Sequence, residues 1–340
     1  GLDDLVVTGA DYFAADTLIA AKKLDAAVDI MSFFRGKNMN IYNVFLVSPR
    51  INAIVSIEGF ANWDIVKADE SKPEVTTAAK PFNLQLEKYG IENGYVKYTD
   101  AESDMSAVVE NLNHSGSGDF TSDLFTLKTN TSADAVTFTY GLIPYLSKVK
   151  TVVTTDIKVD NKNSVYSFDG LDALLNDLMI NGNGNIKSLA NGYGMDINFK
   201  SASTDFKNIL SLIPAVYKTD FDKVTANGTA KFEGFVKGVY SETTMPGYHI
   251  AMNVKDGSFK YTDLPKAVQQ INFNAVVDNP DGQTDNLVVD VTNGHLAIDN
   301  EPFDFRLLVK KPISNMFIDA AAKGKLDLGQ VSSFVKLDKG

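Results

Sequence analysis

Apolar and polar residues alternate along several segments of the chain. In residues 271–278 every odd-numbered position is apolar, and all but one of the even-numbered positions are polar. Residues 303–310 follow the same pattern with one exception, Leu308, and residues 153–160 follow it with Thr155 in the apolar phase. Because successive side chains of a β-strand point to opposite faces, each segment is predicted to be a strand with one apolar and one polar face.

Dipeptides that are typical of tight turns accompany these segments. Asn and Asp before Gly tolerate the left-handed backbone that a two-residue hairpin needs. The dipeptides are Asn93-Gly94, Asn227-Gly228, Asp256-Gly257, Asp281-Gly282 and Asn293-Gly294. Together with the alternation they predict an antiparallel meander of short strands at intervals of roughly ten residues.

Helical spacing interrupts the alternation in one segment. Thr204 is a candidate N-cap, and Pro214 is expected to kink or end the helix. The apolar residues at helical spacing are Phe206, Ile209, Leu210, Ile213 and Tyr217. Residues 26–34 are predicted to form a second short helix, and residues 171–179 fit either a helix or a strand.

The predicted fold class is mainly β: an elongated antiparallel β-meander, curled into a groove or open barrel, with one or two short helices. A meander with one apolar face has three ways to cover it. It can pack as a sandwich, close as a barrel, or curl into a trough around an apolar ligand.

Two segments of the chain are alike in sequence. Residues 93–100 (NGYVKYTD) align with residues 256–263 (DGSFKYTD), each after a strand-like stretch. Related β-modules placed one after another would give this pattern; the alternative is a coincidence between two hairpins. The predicted organisation is an N-terminal module at 1–66, a linker at 67–80, a first β-repeat module at 81–203, a helix with connecting strands at 204–247, and a second β-repeat module at 248–340.

The net charge and the absence of cysteine limit which partners and which cellular compartments are expected. The 340 residues carry a formal net charge of -11 and no cysteine. A negative chain repels phosphate backbones, so nucleic acid is not expected as a partner. The absence of cysteine fits a bacterial envelope or a cytosol better than a secreted eukaryotic protein. Asp3 and Asp4 stand where a signal peptide would be positive, so no signal peptide is predicted at the start. Gly1 fits an expression scar, and the natural protein is expected to begin earlier.

The sequence offers no convincing catalytic site, metal site or cofactor site. His114, His249 and His295 have no second His or Cys at ligand spacing. Most of the carboxylates fall at turns or on polar strand faces, where they are expected to be solvated surface residues and not catalytic groups. Residues 181–185 (NGNGN) lack the Gly-Lys-Ser/Thr ending of a phosphate loop. The chain is therefore predicted not to be an enzyme, with no catalytic residue, no metal ligand and no cofactor.

Several motifs, in order along the chain, resemble the AsmA family of bacterial envelope proteins and its Bacteroidetes-type branch. The N-terminal ones are Pro49, Asn62, Trp63 and Asp64. The others are residues 33–37, the strand ending Lys97-Tyr98-Thr99-Asp100 after Asn93-Gly94, residues 209–217, and Gly324-Lys325-Leu326-Asp327-Leu328. On this resemblance, residues 1–66 correspond to the family's N-terminal β module. The chain has no anchor helix and stops soon after a family-like strand end, so it is expected to be an excised segment.

The resemblance implies a periplasmic protein that an upstream helix anchors to the inner membrane. It implies phospholipid or another lipid as the partner, carried along an apolar β-groove for outer-membrane biogenesis, with other envelope proteins as further partners. The residues predicted to line the groove are Ile271, Phe273, Val277, Phe303, Phe305, Leu307 and Val309. The alternatives are an adhesion or assembly scaffold of packed β modules and a polysaccharide hydrolase, which would need two facing carboxyls about 5–9 Å apart.

Overall fold

The structure is a computed structural model. It describes residues 1–28, 41–65, 87–141, 143–210, 224–241, 243–261, 267–298 and 300–325. These residues form 18 strands and one α-helix, so the chain is mainly β, as the alternation predicts. Among them, no helix has the length and apolar content that a membrane span requires. They divide into two compact units, residues 1–162 and the described residues from 163 onward.

Unit 1 contains the first eight strands. Their bounds are β1 (Leu2–Thr8), β2 (Thr17–Val28), β3 (Ile41–Val47), β4 (Arg50–Val55), β5 (Lys88–Asp100), β6 (Met105–Ser117), β7 (Leu124–Tyr140) and β8 (Ile143–Asp160). From β5 to β8 each strand pairs antiparallel with the next. This part of the unit is the predicted meander.

Strands β3 and β4 depart from the meander, because both lie parallel to β5. Strand β3 pairs with the first half of β5 and β4 pairs with the second half. Between them Ser48 has a φ of 50°. The Ser48 amide donates to the Glu92 carbonyl at 2.8 Å, and the Tyr95 amide donates to the Pro49 carbonyl at 2.8 Å. The two strands therefore act as one interrupted strand beside β5.

Unit 2 contains the remaining ten strands. Their bounds are β9 (Val165–Leu175), β10 (Leu178–Leu189), β11 (Gly192–Ser201), β12 (Thr204–Asp205), β13 (Val224–Tyr240), β14 (Gly247–Tyr261), β15 (Val268–Asn279), β16 (Val288–Ile298), β17 (Glu301–Lys310) and β18 (Phe317–Gly324). All their described pairings are antiparallel. The ambiguous segment 171–179 is a hairpin between β9 and β10.

Four of the five predicted hairpin turns are wrong. Asn93-Gly94, Asn227-Gly228, Asp256-Gly257 and Asn293-Gly294 lie inside β5, β13, β14 and β16, at shifts of the strand register. Asn93, Asp256 and Asn293 have φ angles of 52°, 51° and 52°. They form β-bulges, which use the same left-handed residue as a tight turn but let the strand continue. Strands consequently reach 17 residues in β13 and 15 residues in β14 instead of ending about every ten. Asp281-Gly282 does lie between two strands.

In β5, β14 and β16 the bulge coincides with a phase change in the hydrophobic alternation. In β16 the apolar positions are odd at Val289 and Val291 and even at Leu296 and Ile298, on either side of Asn293. The ladder with β17 shifts between Val291 and Gly294. The inserted residue thus returns the later apolar side chains to the same face as the earlier ones.

The predicted helix at Thr204 is confirmed where the structure describes it. The helix α1 spans Phe206–Leu210, and Phe206 is buried in a cluster on the apolar face of the unit 2 sheet, with Ala230, Val254, Val268 and Ile271. Thr204 belongs to β12, and its hydroxyl accepts a hydrogen bond from the side chain of Asn208. Ile213, Pro214 and Tyr217 lie outside the described residues. The second predicted helix is wrong over residues 26–28, which continue β2; the rest of it also lies outside the described residues.

The two segments that are alike in sequence share a local geometry. The Asn93 amide donates to the Asn113 carboxamide at 3.0 Å, and the Asp256 amide donates to the Asn272 carboxamide at 3.0 Å. In both copies the amide group of that asparagine donates to the carbonyl two residues earlier, at Asn111 and at Gln270. The similarity therefore extends from the dipeptides to the neighbouring strand.

The modules predicted at residues 81–203, 204–247 and 248–340 remain predictions, because the structure does not test their boundaries. The compact units divide the chain between Lys162 and Asn163. The predicted linker at 67–80 lies outside the described residues.

Replacing Gly228 by Ala should destabilise unit 2. Gly228 has a φ of 101°, and a Cβ there would lie 2.5 Å from the Asp256 carbonyl oxygen and 2.5 Å from the Gly257 Cα. Both neighbours are backbone atoms, so we expect a loss of about 2–4 kcal/mol in unfolding free energy, measured by urea denaturation. Gly170→Ala is the matched control, because nothing lies within 4 Å of its added Cβ. Equal denaturation midpoints for the two variants would contradict the bulge geometry.

Candidate functional site

A continuous apolar surface crosses five adjacent strands of unit 2, and we call it the apolar face of β14–β18. Residues directly opposite each other on paired strands share a face. Two rows cross all five strands: Ile250–Val277–Val289–Val309–Ile318 and Met252–Ala275–Val291–Leu307–Ala320. Beyond the bulges, Val254 pairs with Phe273 across β14 and β15. Two shorter rows cross β16, β17 and β18: Gly294–Phe305–Ala322 and Leu296–Phe303–Gly324. All seven residues predicted to line a groove lie on this face.

The structure divides the seven into two environments. Ile271 is 6% exposed and Phe273 packs against the same cluster, so both contribute to the core under α1. The others are Val277, Phe303, Phe305, Leu307 and Val309, which are only half-buried. The part of the face away from the helix is therefore the part with apolar surface still exposed.

Two phenylalanines of this face lie close to glycines on neighbouring strands. A Cβ added to Gly294 would be 2.6 Å from the Phe305 ring, and a Cβ added to Gly324 would be 2.5 Å from the Phe303 ring. A glycine in a strand permits such close approach. Both rings therefore cover bare backbone and extend the apolar surface across β16–β18.

Unit 1 has an apolar face of its own, into which two ionisable side chains are inserted. Tyr89 and His114 pack with their ring centroids 5.3 Å apart, and His114 Nδ1 lies 2.8 Å from the Thr131 hydroxyl. Burial raises the pKa of the Tyr89 phenol and lowers the pKa of the His114 imidazole. Both shifts favour the neutral form of the side chain.

The motif residues near the N-terminus have structural roles. Asn62 is 1% exposed; its carboxamide oxygen accepts from the Ile54 amide at 2.9 Å, and its amide group donates to the Asn52 carbonyl at 2.7 Å. These two hydrogen bonds hold the loop after β4 against that strand. Pro49 is fully buried and begins the second half of the interrupted strand.

Trp63 and Asp64 are exposed beside this loop. Trp63 is 44% exposed, and its ring centroid lies 6.3 Å from that of Tyr98. The Asp64 amide donates to the Ala61 carbonyl. The structure therefore places Pro49 directly before β4 and Asn62, Trp63 and Asp64 in the loop after it, all in unit 1, whereas the seven groove candidates lie in unit 2.

The opposite face of unit 2 is polar and carries a surface pocket of about 530 Å³. Residues from five neighbouring strands, β9, β10, β11, β13 and β14, line it, among them Asn183, Asn198, Lys200, Glu233, Phe235 and His249. Sequence reasoning missed this group. Its signal was an out-of-phase aromatic, because Phe235 occupies a polar position of β13 between Glu233 and Lys237.

The carboxyl groups with shifted pKa values do not resemble general acids. Burial raises the pKa of Asp100, but hydrogen bonds from Ser103 and Tyr98 outweigh it, so the net shift is downward. Hydrogen bonds from Thr121, Ser314 and Arg306 lower the pKa of Asp119, Asp285 and Asp319. A general acid at neutral pH uses the opposite shift. The described part of the chain brings together no three metal-ligating side chains.

Comparison of the chain with protein-family models, with curated proteins and with solved structures gives no match. The resemblance to the AsmA family rests on the sequence motifs described above.

Replacing Asn62 by Ala should destabilise unit 1. The substitution leaves the Ile54 amide and the Asn52 carbonyl without their partner in a buried setting, so we expect a loss of about 2–4 kcal/mol. Asn191→Ala, at an exposed turn, should change the unfolding free energy by less than about 0.5 kcal/mol. Chemical denaturation of both variants measures the difference, and an unchanged midpoint for Asn62→Ala would refute the role of the carboxamide.

Replacing His114 by Phe should flatten the loss of stability on acidification. Since burial lowers the pKa of folded His114 below 6.5, the unfolded chain binds this proton more readily. The unfolding free energy therefore falls as the pH drops below about 6.5, and stops falling below the folded pKa. Thermal melts from pH 8 to pH 5 should show a smaller decrease for His114→Phe than for the wild type. Thr131→Val removes the hydroxyl partner but keeps the imidazole, so it should retain the pH dependence.

Proposed function

We propose that this chain is a non-enzymatic envelope protein of the periplasm that binds or conducts phospholipid along its apolar sheet face. The observation that carries the proposal is the apolar face of β14–β18, with Val277, Phe303, Phe305, Leu307 and Val309 half-buried on one side of the sheet. The AsmA-like motifs support the compartment and the inner-membrane anchor upstream of Gly1.

The size of the face suits an acyl chain. Five strands at about 4.8 Å spacing give a width of about 19 Å, while one leaflet of a bilayer is about 15 Å of hydrocarbon. Each CH₂ kept from water gains about 0.8 kcal/mol. Rows of aliphatic side chains without an interrupting charge would shelter a chain along that whole width. We also propose that the sheet curls into a groove or open barrel, which would enclose the acyl chain further.

The two sides of the same strands differ in a way that favours this function. Leu307 faces Val291 and Ala320, whereas Leu308, the next residue, faces Asp290 and Asp319. An acyl chain would therefore contact one side only. The other side would remain hydrated.

An assembly scaffold is a second candidate function, and exposed aromatics in unit 1 favour it. Tyr12, Phe60 and Trp63 are 70%, 59% and 44% exposed, and the Tyr12 and Phe60 ring centroids are 6.4 Å apart. Aromatic residues are enriched at protein interfaces. Saturable binding of another envelope protein that is lost in Phe60→Ala, without any lipid uptake, would favour this candidate.

Replacing Leu307 by Asp should abolish most lipid binding. A carboxylate among the methyl groups of this face is costly to desolvate, so we expect roughly a tenfold decrease in bound lipid. The assay incubates the purified chain with a fluorescent phosphatidylethanolamine and measures co-elution in gel filtration. Leu308→Asp is the matched control, because it places the same charge on the polar side of the same strand, and it should bind like the wild type.

A second measurement covers the case in which Leu307→Asp fails to fold. A benzophenone amino acid at position 307 should cross-link to phospholipid on illumination, and the same group at position 308 should not. Equal cross-linking at the two positions, or none at either, would count against lipid binding on this face.

A further inference from the structure

One row of side chains on the polar face of unit 2 contains an exposed aromatic ring among polar groups, and contact with water alone does not explain a ring at that position. The strand register places Asn183, Asn198, Phe235, His249 and Asp278 side by side across β10, β11, β13, β14 and β15. Phe235 is 39% exposed, although it lies on the face that carries the charges. An aromatic ring open to water between amides and a histidine is a costly arrangement unless something covers the ring.

The ring of Phe235 is held in place from one side. It stacks on the His249 imidazole with a centroid distance of 5.6 Å and an interplanar angle of 14°. The imidazole is fixed in turn by Asp278, whose Oδ1 lies 2.8 Å from His249 Nδ1. Two stacked rings and a carboxylate therefore form a rigid edge that is organised before any ligand arrives.

Hydrogen-bonding groups surround the free side of this edge. Asn198 and Asn183 follow Phe235 in the same row, and Lys200 and Glu233 are paired in the adjacent row. All of them line the pocket of about 530 Å³. Carboxamides, a carboxylate and an ammonium group together offer both donors and acceptors, and the amides are near each other, with Asn198 Nδ2 3.5 Å from Asn183 Oδ1.

We propose that this pocket binds a neutral oligosaccharide. One face of a pyranose ring presents C–H groups, which pack on an aromatic ring, and its rim carries hydroxyls that both donate and accept hydrogen bonds. Phe235 supplies the aromatic surface, Asn183 and Asn198 pair with adjacent hydroxyls, and Glu233 and Lys200 bind hydroxyls on the other side. The site is separate from the apolar face and does not depend on lipid binding.

Other ligand classes fit the pocket less well. A lipid tail would need an apolar lining around Phe235, whereas Leu171 and Phe199 are the only other large apolar residues among those that line this pocket, and most of the rest are polar or charged. A phosphate or an acidic sugar would meet the carboxylates of Glu233 and Asp172, and the latter already accepts a hydrogen bond from Asn181 at 2.6 Å. A neutral polyol with one flat apolar face matches both the ring and its surroundings.

Saturation-transfer NMR and calorimetry with the whole chain test the proposal. The probes are cellotetraose, chitotetraose, maltotetraose and mannotetraose. We expect at least one to bind with a Kd in the micromolar to millimolar range. Phe235→Ala should weaken that binding about tenfold, Phe235→Trp should retain it, and Asn198→Ala should weaken it severalfold.

Phe317→Ala is the matched control, because Phe317 is 51% exposed, lies on the same face through its pairing with Lys310, and does not line the pocket. It should bind like the wild type. In the wild-type complex, the sugar protons should show contacts to the Phe235 ring and none to Leu307, a measurement that needs no variant. The proposal is overturned if none of the four probes binds at up to about 10 mM, if both Phe→Ala variants weaken binding equally, or if the contacts fall on Leu307.

Discussion

The register of the backbone ladder is the constraint on which this structure depends. A slip of one residue between two strands would turn every apolar side chain of one of them to the polar side. The chain keeps most of its apolar side chains on one face, over strands of up to 18 residues, by inserting a left-handed residue where the alternation changes phase. Asn93, Asp256 and Asn293 each have a φ near 52°. Each is followed by glycine, which admits the close approach of the neighbouring strand.

Separate faces allow the sheet of unit 2 to present two chemically different surfaces. In unit 2 the rows through Val289 and Leu307 are wholly apolar, whereas the row through Asn198 and His249 alternates amides, rings and carboxylates. The largest fully buried apolar side chains in the described part of the chain are Leu178, Val149, Val254 and Pro49. Most of the apolar side chains in the described part of the chain are therefore only partly buried.

Much of this arrangement follows from the sequence. The period of two predicts the strands and assigns Phe303, Phe305, Leu307 and Val309 to one face, where the structure places them. The bulges were mistaken for turns because both use Asn or Asp with a positive φ. The distinguishing signal was in the alternation, which changes phase at a bulge, as between Val291 and Leu296. The Phe235 pocket needs partners from four strands, so only an aromatic in the wrong phase could point to it. The parallel placement of β3 and β4 beside β5 has no local signal, since it depends on long-range pairing.

The bulges also constrain how such a chain can vary in length. Deleting Asn293 would place Val291 and Leu296 four positions apart, the same spacing as their partners Leu307 and Phe303, so both would stay on the apolar face. Deleting one residue elsewhere in β16 would put part of the strand out of step with β17, and its apolar side chains would then face water. Deleting a pair of residues, or losing a bulge together with the phase change beside it, would preserve the two-sided surface. Homologous strands should therefore drift in length by even numbers, and single-residue gaps should cluster where an asparagine or aspartate precedes glycine.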